Sequence, residues 1–163
     1  MDNLTKELLI LLENNNRLTT EQIGSMLKAS PEEIAERIDQ LEKEQIIVRY
    51  NTVINWEKAQ VHRPTALIEV NITPQRGSGY DKVAERIYRF PQVKSLYLVS
   101  GTYDLCVIVE GDTMQEISNF VAEHLACLEE VRGTKTNFIM RSYKKDGVIF
   151  NDNTTDKRLV ISL

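Results

Sequence analysis

Ala29-Ser30-Pro31-Glu32-Glu33-Ile34 opens a helix with every local signal in place. Ser30 suits an N-cap, Pro31 fits the first helical position, and Glu33 stands where a capping-box carboxylate reaches back to the Ser30 amide. Just upstream, Thr19-Thr20-Glu21-Gln22 offers a second capping box, with Thr19 as cap and Gln22 as partner. Between the two lies a helix over residues 20–28, roughly two turns long, with almost no loop after it. Two helices joined so tightly have the spacing of a helix-turn-helix, in which the second helix is offered to a DNA groove.

Outward from this stretch, Leu4, Leu8, Leu11 and Leu12 form one helical stripe over residues 4–13, ended by Asn14-Asn15-Asn16. Ile23, Met26 and Leu27 on the second helix, and Ile34, Ala35, Ile38 and Leu41 on the third, are the expected inward faces of a three-helix core. Residues 45–50 and 52–55 then turn rich in β-formers and read as a short two-stranded wing. The connector that follows carries Trp56, read as a packing anchor rather than a stacking platform for a base. The expected boundaries are a winged helix-turn-helix at 1–55, a linker at 56–64 and a second domain at 65–163.

The second half has a different period. A strand over residues 65–73 puts Ala66, Ile68, Val70 and Ile72 on one face and Leu67, Glu69 and Asn71 on the other. Tyr80, Val83, Ala84, Ile87 and Tyr88 mark a helix face. Strands at 93–100 and 103–109 flank the turn at Gly101-Thr102. On the first of them, Lys94, Leu96 and Leu98 alternate with Val93, Tyr97 and Val99. Met114, Ile117, Phe120, Val121, Leu125 and Leu128 make a second helix, and residues 134–143 a fourth strand. The order is βαββαβ, a ferredoxin-like arrangement, with an extra strand expected at 157–163. The fold class is therefore α+β. The central strands read as apolar on both faces, and an open apolar sheet face needs cover. A second copy is the simplest cover, which predicts a homodimer and suits palindromic DNA half-sites.

Composition narrows the classes. The 163 residues carry a formal net charge of −4, the wrong sign for a protein that coats nucleic acid indiscriminately. Residues 1–60 hold 7 basic and 11 acidic side chains, and the remainder holds 13 of each, so the DNA-reading half is the acidic half. No apolar run approaches the ~18 residues of a membrane span. The N-terminus, with Asp2, Lys6 and Glu7 and no small-residue cleavage site, does not read as a secretory signal. A cytoplasmic protein without membrane partners is expected. Cys106 and Cys127 sit in apolar contexts and read as buried small hydrophobes. His62 and His124 have no partner at metal-ligand spacing, and no phosphate loop or nucleophile elbow appears. No metal, cofactor or catalytic group is expected.

The whole chain resembles the Lrp/AsnC, or feast/famine, family of transcription regulators. The resemblance rests on Arg17-Leu18-Thr19-Thr20-Glu21-Gln22-Ile23, on Ala29-Ser30-Pro31, and on Arg37-Ile38-Asp39-Gln40-Leu41-Glu42. It rests further on the Gly-x-x-Asp turn in Val99-Ser100-Gly101-Thr102-Tyr103-Asp104, on Thr134-x-Thr136 and on the closing Arg158-Leu159-Val160-Ile161. It implies a sheet-built dimer that assembles further into tetramers or octamers, and a small effector, usually an amino acid, held between dimers near that turn. Carried over, the effector candidates are Ser100, Gly101, Thr102, Tyr103 and Asp104, with Met114, Thr134, Thr136 and Asn137 lining the same cleft. The turn's amides suit a carboxylate and Asp104 suits an α-ammonium. Taken alone, Gly101 and Asp104 read first as a hairpin turn and its cap.

The expected partner of the N-terminal half is duplex DNA. Its candidate contacts are Lys28, Ser30, Glu32, Glu33, Arg37, Gln40, Lys43 and Arg49, with Arg37 and Arg49 foremost and Arg17 and Lys6 as outliers. The recognition helix departs from the family pattern, since Glu32, Glu33, Glu36, Asp39, Glu42 and Glu44 outnumber Arg37 and Lys43. Phosphates repel such a surface. Acids in the first turn favour the helix dipole, and Glu can accept from cytosine N4. Three readings stand beside a ligand-responsive regulator: a metabolite sensor that has lost DNA binding, an adaptor docking the acidic helix on a basic partner, and a small enzyme.

Overall fold

The computed structural model describes residues 1–73 and 79–150. The chain divides into two compact units, Met1–Val53 and Ile54–Leu163. The residues expected to form a linker fall within the second unit.

The first unit is three helices: α1 (Asn3–Asn14), α2 (Thr20–Leu27) and α3 (Pro31–Lys43). Each begins at a side-chain cap. Asp2 accepts from the Thr5 amide at 2.8 Å. Thr19 and Gln22 form the full reciprocal box expected of them. Ser30 accepts from the Glu33 amide at 3.1 Å, but the Glu33 carboxylate goes to Arg37 rather than back to the cap. The turn between α2 and α3 depends on Gly24. A Cβ there would lie 2.7 Å from the Ala29 carbonyl oxygen, and Lys28 closes α2 in the left-handed region with φ 56°. Leu8, Leu12, Ile23, Ile34 and Leu41 are the buried core, with Leu11, Leu27 and Ile38 packed against it. Three expected core residues lie outside it, the first of them the half-buried Leu4. Met26 is 57% exposed, and Ala35 faces solvent.

The expected wing is absent: residues 44–64 contain no strand. Residues 45–51 lace back onto the helices instead. The Ile46 and Ile47 amides both donate to the Leu41 carbonyl, Gln45 takes φ 57°, and the Tyr50 hydroxyl donates to Glu42 at 2.8 Å. Asn16 holds the Asn51 carbonyl at 2.8 Å. A ribbon of a few residues is marginal on its own, so local bonds to helix ends prevail over strand propensity.

The second unit contains β1 (Thr65–Ile72), α4 (Asp81–Tyr88), β2 (Val93–Leu98), β3 (Leu105–Glu110), α5 (Met114–Phe120) and β4 (Val131–Phe138). The sheet order is β2-β3-β1-β4 and its described pairings are antiparallel, the ferredoxin-like arrangement read from the pattern. Ala66, Ile68, Val70 and Ile72 face the helices as expected, with Val107 and Thr136 opposite Ile68 on the two flanking strands. Val83, Ile87, Ile117, Phe120, Val121, Leu125 and Leu128 close the core from the helix side. A π-helical turn at Val121–Leu125 follows α5. The extra residue it accommodates lets the adjacent Phe120 and Val121 point inward together with Leu125.

Several expectations change here. A bulge between Val93 and Ser95 turns Val93 to the same face as Leu96, so β2 does not alternate strictly. The β4 strand runs earlier than the expected 134–143. The far face of the central strands is mixed rather than apolar. Leu67 and Ile108 share it with Glu69, which accepts from Asn137 at 3.0 Å and lies 3.6 Å from Lys135. Cys106 is buried, but Cys127 is exposed after the π-helical turn. Trp56 has the Arg63 guanidinium 4.7 Å above its ring, a packing role within this unit. A further hairpin, β5 (Lys144–Lys145) with β6 (Val148–Ile149), turns at Asp146-Gly147, both with positive φ. The strand expected at 157–163 lies outside the described residues.

Candidate nucleic-acid interface and effector site

The outward face of α3 is set by its core stripe. With Ile34 and Leu41 buried, Glu32, Glu36, Asp39 and Gln40 face solvent. Most of the polar groups on this helix are already engaged. Arg37 Nη1 donates to Asp2 at 2.7 Å and to Thr5 Oγ1 at 2.9 Å, while its Nε and Nη2 reach Glu33 at 3.3 and 3.0 Å. Its side chain is only 27% exposed. Arg37 therefore fastens α3 to the cap of α1 and is not presented outward as the foremost DNA contact. Hydrogen bonds from Thr5 and then Arg37 hold the Asp2 carboxyl well below the usual carboxylate range, and Asp2 and Glu33 raise the Arg37 guanidinium in turn. Lys43 pairs with Asp39, Gln40 donates to Glu44 at 2.8 Å, and Ser30 is occupied as a cap.

The cations left open stand beside the helix rather than on it. Lys28, at the left-handed C-cap of α2, and Arg49, beyond α3, are exposed and have no ion pair among the described residues; Arg17 and Lys6 are alike in this. Burial and the neighbouring Glu42 push the Tyr50 hydroxyl up to about 12, so it remains a donor tying the residue after Arg49 to α3.

The Gly101 turn presents the opposite arrangement. Val99 donates to the Asp104 carbonyl at 2.9 Å and the Asp104 amide donates to Val70 at 3.1 Å. Between these bonds, the amides of Ser100, Gly101, Thr102 and Tyr103 have no acceptor among the described residues. Gly101 does not use its conformational freedom, for its φ is not positive, and the space where a Cβ would sit is empty to 4 Å. Asp104 Oδ2 accepts from the Ile72 amide at 2.7 Å and Oδ1 from the Tyr80 hydroxyl at 3.3 Å. The Asp104 charge, then burial, raises the Tyr80 phenol above its ordinary value; burial, then Cys106, does the same for Tyr103.

The remaining effector candidates do not gather at the turn within one chain. Thr134 and Thr136 pair with Val70 and Ile68 on the helix-covered side of the sheet, whereas Asn137 pairs with Leu67 on the other side and bonds Glu69. Met114 opens α5 beyond the far end of β3, about 17 Å of strand away from the turn. Tyr80 and the Ile72 amide were missed by sequence reasoning. Tyr80 registers in the pattern only as a member of a helix stripe, and a backbone amide leaves no signal.

Among the described residues no group of His, Cys, Asp and Glu is gathered to hold a metal ion, and no helix is long and apolar enough to cross a membrane.

A capped helix-turn-helix followed by a ferredoxin-like unit with an open polar turn defines a ligand-responsive DNA-binding protein. Residues 65–149 match the model of the Lrp/AsnC ligand binding domain. Over 157 residues the chain is 45% identical to the uncharacterised HTH-type transcriptional regulator YugG of Bacillus subtilis (strain 168), covering 96% of this chain and 95% of the relative. The fold is shared with the Neisseria meningitidis transcriptional regulator NMB0573 in its L-Met complex, at TM-score 0.71 and 23% identity over 89% of this chain and 93% of that one. It is shared also with the Mycobacterium tuberculosis leucine response regulatory protein LrpA, at TM-score 0.73 and 20% identity over 90% and 97%. The chain belongs to the Lrp/AsnC family and is a DNA-binding transcriptional regulator with a ligand-binding C-terminal unit.

Proposed function

We propose that the effector is a small α-amino acid received at the Gly101–Asp104 turn, and that its binding changes how copies of the chain assemble on DNA. The observation that carries this reading is the row of four amides with no acceptor among the described residues, beside the Asp104 carboxylate. Successive backbone amides form a concavity for an anion, and a carboxylate takes an ammonium by charge-assisted bonds. Together they complement the two charges of a zwitterion. The L-Met complex of the Neisseria relative supports an amino acid as the class. Met114, Thr134 and Thr136 stand apart from the turn in one chain, so they join such a site only from another copy. A ligand at a seam between copies shifts assembly, because it binds one assembly state better than another.

On the DNA side, cations outside α3 take the place expected of Arg37. Lys28 and Arg49, with Arg17 and Lys6, meet phosphates, and α3 enters the major groove with Glu32, Glu36 and Gln40 facing the bases. With so few cations per copy, affinity comes from a homodimer or larger assembly engaging several sites at once. The site of action is the cytoplasm.

Calorimetric titration of the twenty L-amino acids, with sedimentation alongside, tests the effector reading. At least one binds at micromolar to low-millimolar concentration and shifts the sedimentation profile. Asp104→Ala and the milder Asp104→Asn, which keeps an acceptor for the Ile72 amide, weaken it by about 10- to 100-fold. Unchanged affinity in both variants would refute the assignment.

A further inference from the structure

Asp104 is tied at every polar atom. Its backbone bonds reach Val70 and Val99, and its two carboxylate oxygens reach the Ile72 amide and the Tyr80 hydroxyl. Ile72 is the last residue of β1, and Tyr80 is the residue that leads into α4. The Ile72 carbonyl is held as well, by Arg132 Nη2 at 3.1 Å. The turn is thus fastened to the exit of one strand and the entrance of one helix through a single side chain.

A carboxylate offers about four acceptor positions. Among the described residues one on each oxygen is filled, by a backbone donor on one side and a phenol on the other, and the second on each is left to a ligand. A donor on both oxygens restricts rotation of the group about its Cβ–Cγ bond. This is how outer partners orient the groups that touch a bound ligand or metal. Of the two donors, the Ile72 amide belongs to the main chain, and only Tyr80 is a side chain that substitution can remove. Its ring has a separate role, walling a cleft of about 310 Å³ between α4 and β2 together with Ala84, Leu96, Leu98 and Leu105. Tyr80→Phe keeps that wall and deletes only the donor.

We infer that Tyr80 is a positioning residue of the effector site, orienting through its hydroxyl the Asp104 carboxylate that receives the effector's ammonium group. The inference rests on the amino-acid reading above and adds to it the group that sets the direction of its anionic end. It predicts a defect confined to the ammonium. A ligand lacking that group makes no use of the oriented carboxylate and is indifferent to Tyr80.

The full chain and its Tyr80→Phe variant are titrated calorimetrically with the tightest-binding L-amino acid and with the des-amino acid of the same side chain. The expected result is about tenfold weaker binding of the amino acid to Tyr80→Phe, equal binding of the des-amino acid to both proteins, and an unchanged thermal midpoint. The preference for the amino acid then narrows by the same factor, and Asp104→Asn narrows it further. If Tyr80→Phe retains the full preference, or if both ligands weaken alike, the positioning role is overturned while the effector reading stands. If no amino acid binds the wild type, the effector reading fails and this inference falls with it.

Discussion

The recognition helix and the Gly101 turn treat their polar groups in opposite ways. On α3, Arg37 is locked to Asp2, Thr5 and Glu33, Lys43 to Asp39 and Gln40 to Glu44. At the turn, four consecutive amides have no acceptor among the described residues and Gly101 leaves empty space above itself. Charge on a surface is a poor guide to what a surface binds; what matters is which groups the fold has already satisfied. Internal pairing makes α3 a well-held acidic rod, so the phosphate contacts proposed for this unit fall to the cations on its flanks. The turn is positioned by bonds at its two ends and by Asp104, and its middle is the place proposed for the effector.

The sharpest way to separate the two regions is to break one and watch the other. Gly24→Ala places a methyl 2.7 Å from the Ala29 carbonyl, against backbone that cannot step aside cheaply. The expected loss in the helix-turn-helix unit is about 3 kcal/mol, read as a lowered denaturant midpoint by helical circular dichroism. DNA binding falls with it, while calorimetric effector affinity stays within about twofold. A variant as stable as wild type would show that the turn has slack that the 2.7 Å approach denies.

A smaller effect tests whether the flanks carry the phosphate contacts. Lys28→Ala and Arg49→Ala should each cost about 1 kcal/mol in operator affinity and flatten the logarithmic salt dependence by about one. Arg37→Met should leave the salt slope unchanged, since its charge is neutralised within the unit. Should Arg37→Met flatten the slope as much as the other two, Arg37 leaves Asp2 for a phosphate on binding, and the contrast between the regions weakens.

The smallest effect concerns the lock itself. The Asp2 carboxyl is depressed in the folded chain, first by Thr5 and then by Arg37. Its contribution is therefore fully present above the ordinary carboxylate range and lost as pH falls through that range toward the folded value. Denaturant midpoints measured from pH 7 down to pH 3 should fall more for wild type than for Asp2→Asn, with the two curves converging at the acid end. Parallel curves would mean the pair is too well solvated to matter, as exposed ion pairs often are.

What proved legible in the sequence was local or strictly periodic. The caps at Thr19 and Ser30, Pro31 at the first helical position and the alternation from Ala66 to Ile72 all depend on neighbours within a few residues. The wing failed for the complementary reason. Residues 45–55 have strand-forming side chains, yet a strand exists only through a partner, and here the Leu41 carbonyl, Glu42 and Asn16 take up the groups that pairing needs. The bulge after Val93 and the π-helical turn after Phe120 each insert one residue into a regular period, which no fixed-period reading can register.

The sequence by itself determined the order of the helices and of the four sheet strands, the caps of α2 and α3, the inward face of β1 and the turn at Gly101, because capping and amphipathic periodicity act over one or two turns of chain. Only the tertiary structure decided which charges remain available. Arg37 meets an aspartate 35 residues earlier in the chain, and Asp104 meets a strand amide and a tyrosine 32 and 24 residues earlier. Hydrogen bonds are short-ranged in space and indifferent to distance along the chain, so the same residue type reads alike in sequence whether folding engages it or leaves it open.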